Sequence, residues 1–599
     1  MSAQDETVAG LKQILITASN TGTCYGDHLA RHLVDWFQFG EHQLYKKQQQ
    51  QQQSDSSQHI PDTTLKTASP VDILLASTAV IPRLVEQGKA DEILDTLRTY
   101  SQLPYVDKEV LEVLVLCLAV TAKQTEQKKL VTDAHSAVRE LCTNTHLFFL
   151  FIQFSKMIAK KDGHCGWGRG LRRAVGSWYL SWEPHRLAVE VTRHASAHGW
   201  THRDVIKLAH LKLKDMPIGT QVVLHYVFQG LGRTTEKYSG QDNSQDLLTL
   251  LQALDKDGHP QEGEKAWDVD EVISKVTKLH EKFGNLTLDD VPSQSLKSQE
   301  LWSHLLDKLD SESLVASVNR LGRCHLLNPS TETLHPLQDQ LVARLTQETV
   351  AAGPISPTQT LLSLHAYQHP ARFIVDLAVK SGRGGARGAG RVLARKSSKV
   401  NPKVIEAMHT LIANSAKNID KTKGKLGVCI DVRGSMATTH VWTGNPEGKG
   451  EVTCQEAAAV TALSLSSGGT NTAVSTLAFS ESGLVNLTLG EGATLSQVIN
   501  VFKETVIGGV NVNAALEWGK ENGAETLVVL THRLDHQAVA VASQALDQFN
   551  HEHNTQLRLV LCGLGTKRLN TPHIPGILLM LGFHHRTPTI IRAFHERYF

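Results

Sequence analysis

The stretch that decides the fold runs from residue 145 to residue 217. It reads THLFFLFIQFSKMIAKKDGHCGWGRGLRRAVGSWYLSW (145–182), followed by EPHRLAVEVTRHASAHGWTHRDVIKLAHLKLKDMP (183–217). The segment from His146 to Ile158 is aromatic and aliphatic nearly all round, which predicts a buried helix. Glycines at 166 and 168 then break the pattern, and a second helix is predicted whose apolar stripe repeats at helical spacing. That stripe comprises Leu171, Ala174, Val175 and Trp178.

A third helix is predicted to begin at Thr201, because Asp204 stands three residues on, as in a capping box. We expect Val205, Leu208 and Ala209 to form its apolar stripe. Acidic residues are few between 145 and 217 and basic residues are many. Two neighbouring amphipathic helices are therefore expected to bury one side and to expose a basic side. The pattern alone leaves two interpretations open, an ordinary solvated face or a binding surface.

Four ordered segments of this stretch resemble the TROVE module of the Ro ribonucleoprotein autoantigen family. They are THLFFLFIQF (145–154), CGWGRGLRRA (165–174), SWY (177–179) and GWTHRDVIKLAHLK (199–212). The resemblance implies a protein that binds small non-coding RNAs of the Y type, together with misfolded RNAs and their 3′ ends. Arginine and lysine side chains would contact phosphates, while His202 and His210 would donate hydrogen bonds or stack on bases. The predicted RNA contacts here are Arg169, Arg172, Arg173, His202, Arg203, Lys207, His210, Lys212 and Lys214.

The whole chain has 599 residues and a formal net charge of +1. That length predicts two or more domains, and that charge means that affinity for nucleic acid must come from local patches. The eight cysteines form no CxxC pair, so we expect reduced thiols in an intracellular protein. Neither a signal peptide nor a membrane span is predicted. We expect a cytoplasmic protein, with the nucleus as a further location, and a monomeric ring.

Four segments are predicted along the chain. Residues 1–70 form the N-terminal part of the TROVE module, with a disordered glutamine-rich insert at 46–66. Residues 71–380 show helix after helix without a strict period, as in HEAT-like repeat stacks, and the family resemblance implies closure into a ring. Residues 381–402 form a basic loop rich in glycine and arginine. Residues 403–599 form a doubly wound α/β domain.

The glycine- and arginine-rich segment carries Arg383, Arg387 and Arg391. Its glycines argue against a stable helix in spite of the regular arginine spacing. It is similar to RGG segments that bind RNA through charge and stacking, and it is equally compatible with a solvated linker. We place these three arginines among the predicted RNA contacts.

After residue 425 the pattern changes to short runs rich in Val, Leu and Ile that alternate with helical segments. Buried parallel strands alternating with helices predict the doubly wound fold, and ligands of such folds lie at the carboxyl ends of the strands. This region resembles a von Willebrand factor A domain. The order of the two modules is that of the Ro family over nearly the whole chain.

The A-type resemblance raises the question of a divalent cation, because such domains often bind one through a DxSxS motif, a threonine and an aspartate. Here the three loops read DVRGS (431–435), GGVN (508–511) and TH (531–532). Asp431 and Ser435 match the pattern, but an arginine, a valine and a histidine replace oxygen ligands that hard cations require. We interpret the site as degenerate and expect Arg433 to pair with Asp431 in place of a metal.

These observations predict a non-catalytic RNA-binding protein without a cofactor, acting in a small ribonucleoprotein and in RNA quality control. Protein partners are expected at the A-type domain. The alternative is a helical-repeat scaffold for proteins with an adhesion-type A domain. The two basic segments favour RNA, and the degenerate site disfavours metal-dependent adhesion.

Overall fold

The computed structural model describes two compact units, one containing the described residues up to 254 and the other those from 270 onward. The predicted insert at 46–66 and the three arginines of the glycine- and arginine-rich segment lie outside the described residues. The described ranges are 78–102, 108–123, 125–164, 167–241, 244–254, 295–328, 336–353, 355–369, 400–417, 422–442, 452–466, 474–481, 483–489, 493–566 and 574–598, with isolated residues at 8–16, 71–75, 270–277 and 569. Within these ranges, no helix combines the length and the apolarity that a bilayer crossing requires.

The described residues of the first unit are helical, as predicted, apart from one two-residue strand pair. Its helices are α1 (Val80–Glu86), α2 (Ala90–Ser101), α3 (Lys108–Lys123), α4 (Lys128–Leu141), α5 (Thr145–Lys161), α6 (Arg169–Leu180), α7 (Pro184–Arg193), α8 (His202–Ala209), α9 (Ile218–Tyr238) and α10 (Gln245–Leu254). Strands β1 (Ser196–Ala197) and β2 (Trp200–Thr201) pair antiparallel just before α8.

Helix α5 lies at the centre of this unit, and its burial confirms the prediction from its composition. The Asn144 side chain caps it by accepting a hydrogen bond from the Leu147 amide. Phe148 stacks on Trp178 of α6 with ring centroids 4.1 Å apart and nearly parallel planes. The Trp178 indole N–H donates to the Cys142 carbonyl at 2.7 Å, so its polar atom is satisfied inside the core.

Helix α6 buries the predicted stripe of Leu171, Ala174, Val175 and Trp178. Two glycines on the other faces of α6 let side chains from α4 and from beyond α8 approach its backbone closely. A Cβ at Gly170 would lie 3.0 Å from the His135 ring of α4, and one at Gly176 would lie 3.2 Å from Leu211, just beyond α8. Helix α6 is therefore held between α4 and the end of α8.

Helix α8 begins as predicted, since the Thr201 hydroxyl accepts a hydrogen bond from the Asp204 amide. Its apolar stripe differs from the prediction, because Leu208 is 41% exposed. The buried positions follow the i, i+3, i+4, i+7 spacing and are His202, Val205, Ile206 and Ala209. Leu208 lies outside that face, and Ile206 is buried in its place.

The second unit combines helices with a six-stranded sheet. Its helices are α11 (Gln299–Leu305), α12 (Ser311–Arg323), α13 (Pro336–Leu345), α14 (Glu348–Ala351), α15 (Pro357–Gln368), α16 (Pro402–Lys417), α17 (Gly434–Thr438), α18 (Cys454–Ser466), α19 (Leu495–Glu504), α20 (Val512–Asn522), α21 (His536–His553) and α22 (Thr587–His595). Its strands are β3 (Leu426–Ile430), β4 (Val474–Ser480), β5 (Gly483–Asn486), β6 (Thr526–Thr531), β7 (Arg558–Gly563) and β8 (Ile577–Leu581).

The sheet confirms the doubly wound prediction. Its strand order is β5-β4-β3-β6-β7-β8, and all neighbours are parallel except the edge strand β5, which runs antiparallel to β4. Strands β3, β6 and β8 are buried along their whole length, as strands covered on both faces must be. The carboxyl ends of β3 and β6 are adjacent, which brings the loops after residues 430 and 531 together.

The compact units do not follow the predicted sequence boundary at 381–402, because α11–α15 belong to the second unit. Helix α15 packs against α16 and α18. The Tyr367 hydroxyl accepts a hydrogen bond from the Asn401 amide, and the Asn401 side chain donates to Gln338 at 2.7 Å. The predicted domain boundary at 381–402 stays a prediction, and these contacts join described helices on its two sides.

We expect the Trp178→Ala variant to lower the free energy of unfolding by about 3–5 kcal/mol, because the change removes a fully buried indole stacked on Phe148. Leu180→Ala on the same helix is the matched control. That side chain is exposed, so its loss should change stability by less than about 0.5 kcal/mol. Urea unfolding followed by circular dichroism measures both, and equal effects would contradict the core role of Trp178.

Candidate functional site

The basic residues predicted at α6 and α8 lie, with two exceptions, on the surface of the first unit. Helices α6 and α8 pack against each other, and His210 ends α8 in the left-handed conformation, which turns the chain into a short 3-10 helix at Leu213–Asp215. We call the exposed set the basic surface. It comprises Arg169, Arg173, Arg203, Lys207, His210, Lys212 and Lys214.

The basic surface carries charge that the described part of the protein does not neutralise. None of its side chains has an ion pair with a described carboxylate, in contrast to Arg98, which contacts Glu140 at 3.1 Å. The two acids next to the basic surface in sequence are Asp204, which accepts a hydrogen bond from the Thr201 hydroxyl at the start of α8, and Asp215, which is exposed in the following turn. The arrangement can therefore hold a polyanion.

Arg172 is the first exception among the predicted contacts. It is only partly exposed, and its Nε is buried without a hydrogen-bond partner among the described residues. Its position on α6 places it between the exposed Arg169 and Arg173 and the buried stripe. An alanine at this position would remove packing as well as charge.

His202 is the second exception, and the RNA contact predicted for it is wrong. Its side chain is 2% exposed and lies under the basic surface. The ring Nδ1 is 2.7 Å from the Tyr179 hydroxyl, and Nε2 is 3.4 Å from the Thr145 hydroxyl. Burial lowers the pKa of His202 to about 3, opposed by a hydrogen bond to the His194 backbone, so the ring is neutral at physiological pH.

The spacing of the buried residues on α8 could have revealed this, since His202 stands three positions before Val205. Sequence reasoning also missed Glu190, whose buried carboxylate accepts the Thr145 amide at the start of α5. Together Glu190, Thr145, His202 and Tyr179 connect α5, α6, α7 and α8. This polar cluster fixes the positions of the helices that carry the basic surface.

The two tryptophans at the helix entries, Trp167 and Trp200, pack against each other. Trp200 is buried, donates its indole N–H to Gln153 at 2.9 Å, and meets Trp167 edge to face at 5.9 Å. The Lys156 ammonium lies 4.6 Å from the centre of the Trp200 ring. These contacts hold the β1–β2 turn and assign a structural role to Trp200.

At the carboxyl ends of β3 and β6, Arg433 pairs with Asp431 as predicted. The guanidinium donates to both carboxylate oxygens, at 2.9 and 2.7 Å, and the Arg433 amide adds a third bond at 3.1 Å. The Thr531 hydroxyl donates a fourth at 2.9 Å. Burial alone would raise the pKa of Asp431, but these hydrogen bonds and the arginine charge outweigh it and lower that pKa.

The remaining residues of this edge do not fit a divalent cation. The His532 Nδ1 lies 3.3 Å from the Ser435 hydroxyl and 3.5 Å from Asp431. Asn511 caps α20 through its side-chain oxygen, and Val510 packs on the hydrophobic core. A cation would have to displace the guanidinium and would keep only Asp431 and Ser435 as oxygen ligands from the A-type motif.

Comparison with known proteins identifies the helical region and the α/β domain separately. Residues 54–366, more than half of the chain, match the family described as TROVE domain, and residues 425–595 match the family described as Ro60 vWA domain. The chain belongs to the Ro ribonucleoprotein family. It has the order of modules inferred from its sequence, a TROVE module followed by a von Willebrand factor A-type domain.

Two relatives of this Ro family chain match it over most of their length. The RNA-binding protein RO60 of Caenorhabditis elegans is 22% identical over 579 residues, which cover 86% of this chain and 83% of the relative. The RNA-binding protein RO60 of Deinococcus radiodurans is 23% identical over 526 residues, which cover 86% and 87%. The crystal structure of the Deinococcus radiodurans RO (RSR) protein shares the fold, with a TM-score of 0.66, 19% identity and coverage of 99% and 100%.

The buried His202 predicts how this Ro family chain responds to acid. Because the pKa of His202 is lowered from 6.5 to about 3 on folding, the unfolded chain binds a proton preferentially between these values. Stability is therefore present above pH 6.5 and is lost as the pH falls, at up to about 1.4 kcal/mol per pH unit from this residue. His202→Gln should flatten the pH dependence of urea unfolding below 6.5, and exposed His210→Gln should not. An unchanged slope in His202→Gln would contradict the assignment.

Removal of the arginine from the Arg433–Asp431 pair should lower the stability of the α/β domain. Arg433→Ser leaves a fully buried carboxylate without its main partner, which should lower the free energy of unfolding by about 1–3 kcal/mol. Because the Arg433 side chain is 40% exposed, we expect a smaller loss of stability than for a fully buried ion pair. Arg533→Ser, an exposed arginine in the neighbouring loop, is the control for stability.

Calorimetric titration with magnesium and manganese measures the metal affinity of the unmodified chain and of the same variants. We expect no tight binding to the unmodified chain, and Arg433→Ser should not create it, since Val510 and His532 still occupy ligand positions. Micromolar binding that Asp431→Ala abolishes would show that the site accepts a cation after all.

Proposed function

We propose that this chain is a non-catalytic RNA-binding protein of a small ribonucleoprotein that holds Y-like small non-coding RNAs and the 3′ ends of misfolded RNAs. The observation that carries the proposal is the basic surface, seven exposed basic side chains on α6, α8 and the following turn without ion pairs among the described residues. The names of the two relatives support RNA as the ligand class.

The chemistry of the basic surface suits a structured RNA. Its arginines and lysines contact phosphates well, and such contacts position a nucleic acid without reading its bases. Side chains borne on helices favour recognition of RNA shape. Of the two histidines, His210 is exposed at the end of α8 and is the one that contacts bases.

The surroundings of the cysteine thiols favour a non-catalytic protein. Burial raises the pKa of the Cys117 and Cys429 thiols to about 12, which leaves these groups protonated and out of contact with a substrate. Among the described residues, no group of three or more His, Cys, Asp or Glu side chains is arranged to hold a metal ion.

We expect Arg169→Ala combined with Arg173→Ala to weaken RNA binding without lowering the melting temperature. Two lost phosphate contacts should reduce the slope of log Kobs against log salt by about 2. Filter binding at several salt concentrations, with an RNA recovered by crosslinking and sequencing from cells, provides the measurement. Lys503→Ala with Arg533→Ala is the matched control, because it removes two exposed cations from the α/β domain.

Equal loss of affinity in both double variants would show a general charge effect and contradict a site at the basic surface. A lowered melting temperature with unchanged affinity would assign Arg169 and Arg173 a structural role. Crosslinking from separate cytoplasmic and nuclear fractions also tests the predicted location. Recovery of no RNA above background would favour the protein scaffold.

A further inference from the structure

Strand β5 ends the six-stranded sheet, and no described strand pairs with its outer side. It is short, Gly483–Asn486, and it pairs with β4 in the register Leu477–Asn486 to Ser480–Gly483. An unpaired strand edge presents backbone N–H and C=O groups that an extended chain can use. The outer edge of β5 is therefore a place where another strand can add.

A groove of about 510 Å³ lies along this edge. Its walls are β5 with the residues that follow it and the end of α19. Val485 pairs with Ala478 and, by strand alternation, faces the side of the sheet opposite to Leu484, which packs on the hydrophobic core. Val485 and the end of α19 both line the groove, and Val485 is open to solvent there.

Three β-branched apolar side chains are exposed at or beside this groove. Val485 is 40% exposed, Val506 is 65% exposed and Ile507 is 53% exposed. The next residue, Gly508, is buried, and its amide donates to the Phe479 carbonyl of β4. A Cβ at Gly508 would collide with the backbone of Ser480, so this segment is pressed against the end of β4 and holds Val506 and Ile507 outward. Large apolar side chains grouped this way mark a contact surface.

Among the described residues, the charged ones that line the groove are the carboxylates Glu481 and Glu504. Neither forms an ion pair with a described residue. Phosphates would be repelled here, whereas lysine or arginine side chains would be attracted at short range. The charge of the groove is thus opposite to that of the basic surface on the first unit.

We propose that the groove along β5 binds an extended peptide segment of a partner protein, in which β-branched residues alternate with lysine or arginine. Backbone hydrogen bonds to the free edge of β5 supply affinity, and side chains at every second position enter the groove. Val485, Val506 and Ile507 contact the apolar side chains, and Glu481 and Glu504 contact the basic ones. The inference rests on the α/β domain alone and is independent of RNA binding.

The probe is a phage-displayed library of random ten-residue peptides, selected on the full-length chain. We expect enriched sequences to alternate Val, Ile or Thr with Lys or Arg. The best peptide, made synthetically with a fluorescent label, is then titrated with the chain and its variants by anisotropy. Methylation of alternate backbone amides of this peptide on the paired side should abolish binding, since it blocks addition to β5.

The variants separate apolar from ionic contributions. Val506→Asp and the pair Glu481→Lys with Glu504→Lys should each weaken peptide binding about tenfold or more. Val541→Asp is the matched apolar control, because Val541 is 54% exposed on α21, and Glu517→Lys on α20 is the matched charge control. Both controls should bind the peptide like the unmodified chain.

Several results would overturn the proposal. They are the absence of an enriched peptide family that depends on Val506, equal binding of a peptide with glutamate in place of its basic residues, and equal losses in the control variants. Self-association of the chain that Val506→Asp abolishes would assign the edge to a second copy. Loss of RNA binding in the groove variants, with peptide binding intact, would assign the groove to RNA.

Discussion

Helix α5 can be buried over most of its circumference only if its own polar groups are satisfied within the fold, and the first unit is organised by that constraint. Its sequence offers almost no polar face, so neighbouring helices must supply apolar contacts around it, as Trp178 does by stacking on Phe148. The first amides of any helix lack intrahelical partners. Here the Asn144 side chain accepts one, and the Glu190 carboxylate accepts that of Thr145, where the positive end of the helix dipole favours a negative group.

The same principle shapes the carboxyl edge of the sheet in the second unit. Asp431 is fully buried there, and a buried carboxylate needs a counter-charge and several donors. A-type domains often meet this need with a divalent cation. In this chain Arg433 supplies the charge and, with Thr531, the donors, while His532 approaches both Asp431 and Ser435. Arginine at position 433 thus replaces an oxygen ligand of the metal with a side chain that pairs with Asp431. Val510 and His532 likewise stand where the A-type motif has oxygen ligands, so the site loses further capacity to bind a cation.

The fold could be predicted from the sequence where one periodic pattern dominates. The stripe of α6, the cap at Thr201 and the alternating strands after residue 425 all lie where their spacing places them. The sequence predicts the wrong buried residues where two helical spacings fit the same apolar side chains. On α8, Leu208 and Ile206 are both apolar, and only packing on α6 decides which one is buried. The same choice of face places His202 in the core, although a histidine among basic residues is typical of a surface. The membership of α11–α15 in the second unit depends on contacts such as Tyr367 with Asn401, which no local pattern encodes.

The net charge of +1 conceals two local surfaces of opposite sign. On the first unit, lysine and arginine side chains on α6, α8 and the following turn have no described counter-ion, so they attract phosphates. On the second unit, Glu481 and Glu504 line an apolar groove beside a free strand edge, so they repel phosphates and attract basic side chains. Exposed charges are screened within about 8 Å at physiological ionic strength, so each surface acts on what touches it and hardly on a distant ligand. A nearly neutral chain can therefore present two surfaces that favour ligands of opposite charge, and salt should weaken the attraction at both while charge reversal at either surface should change only the attraction there.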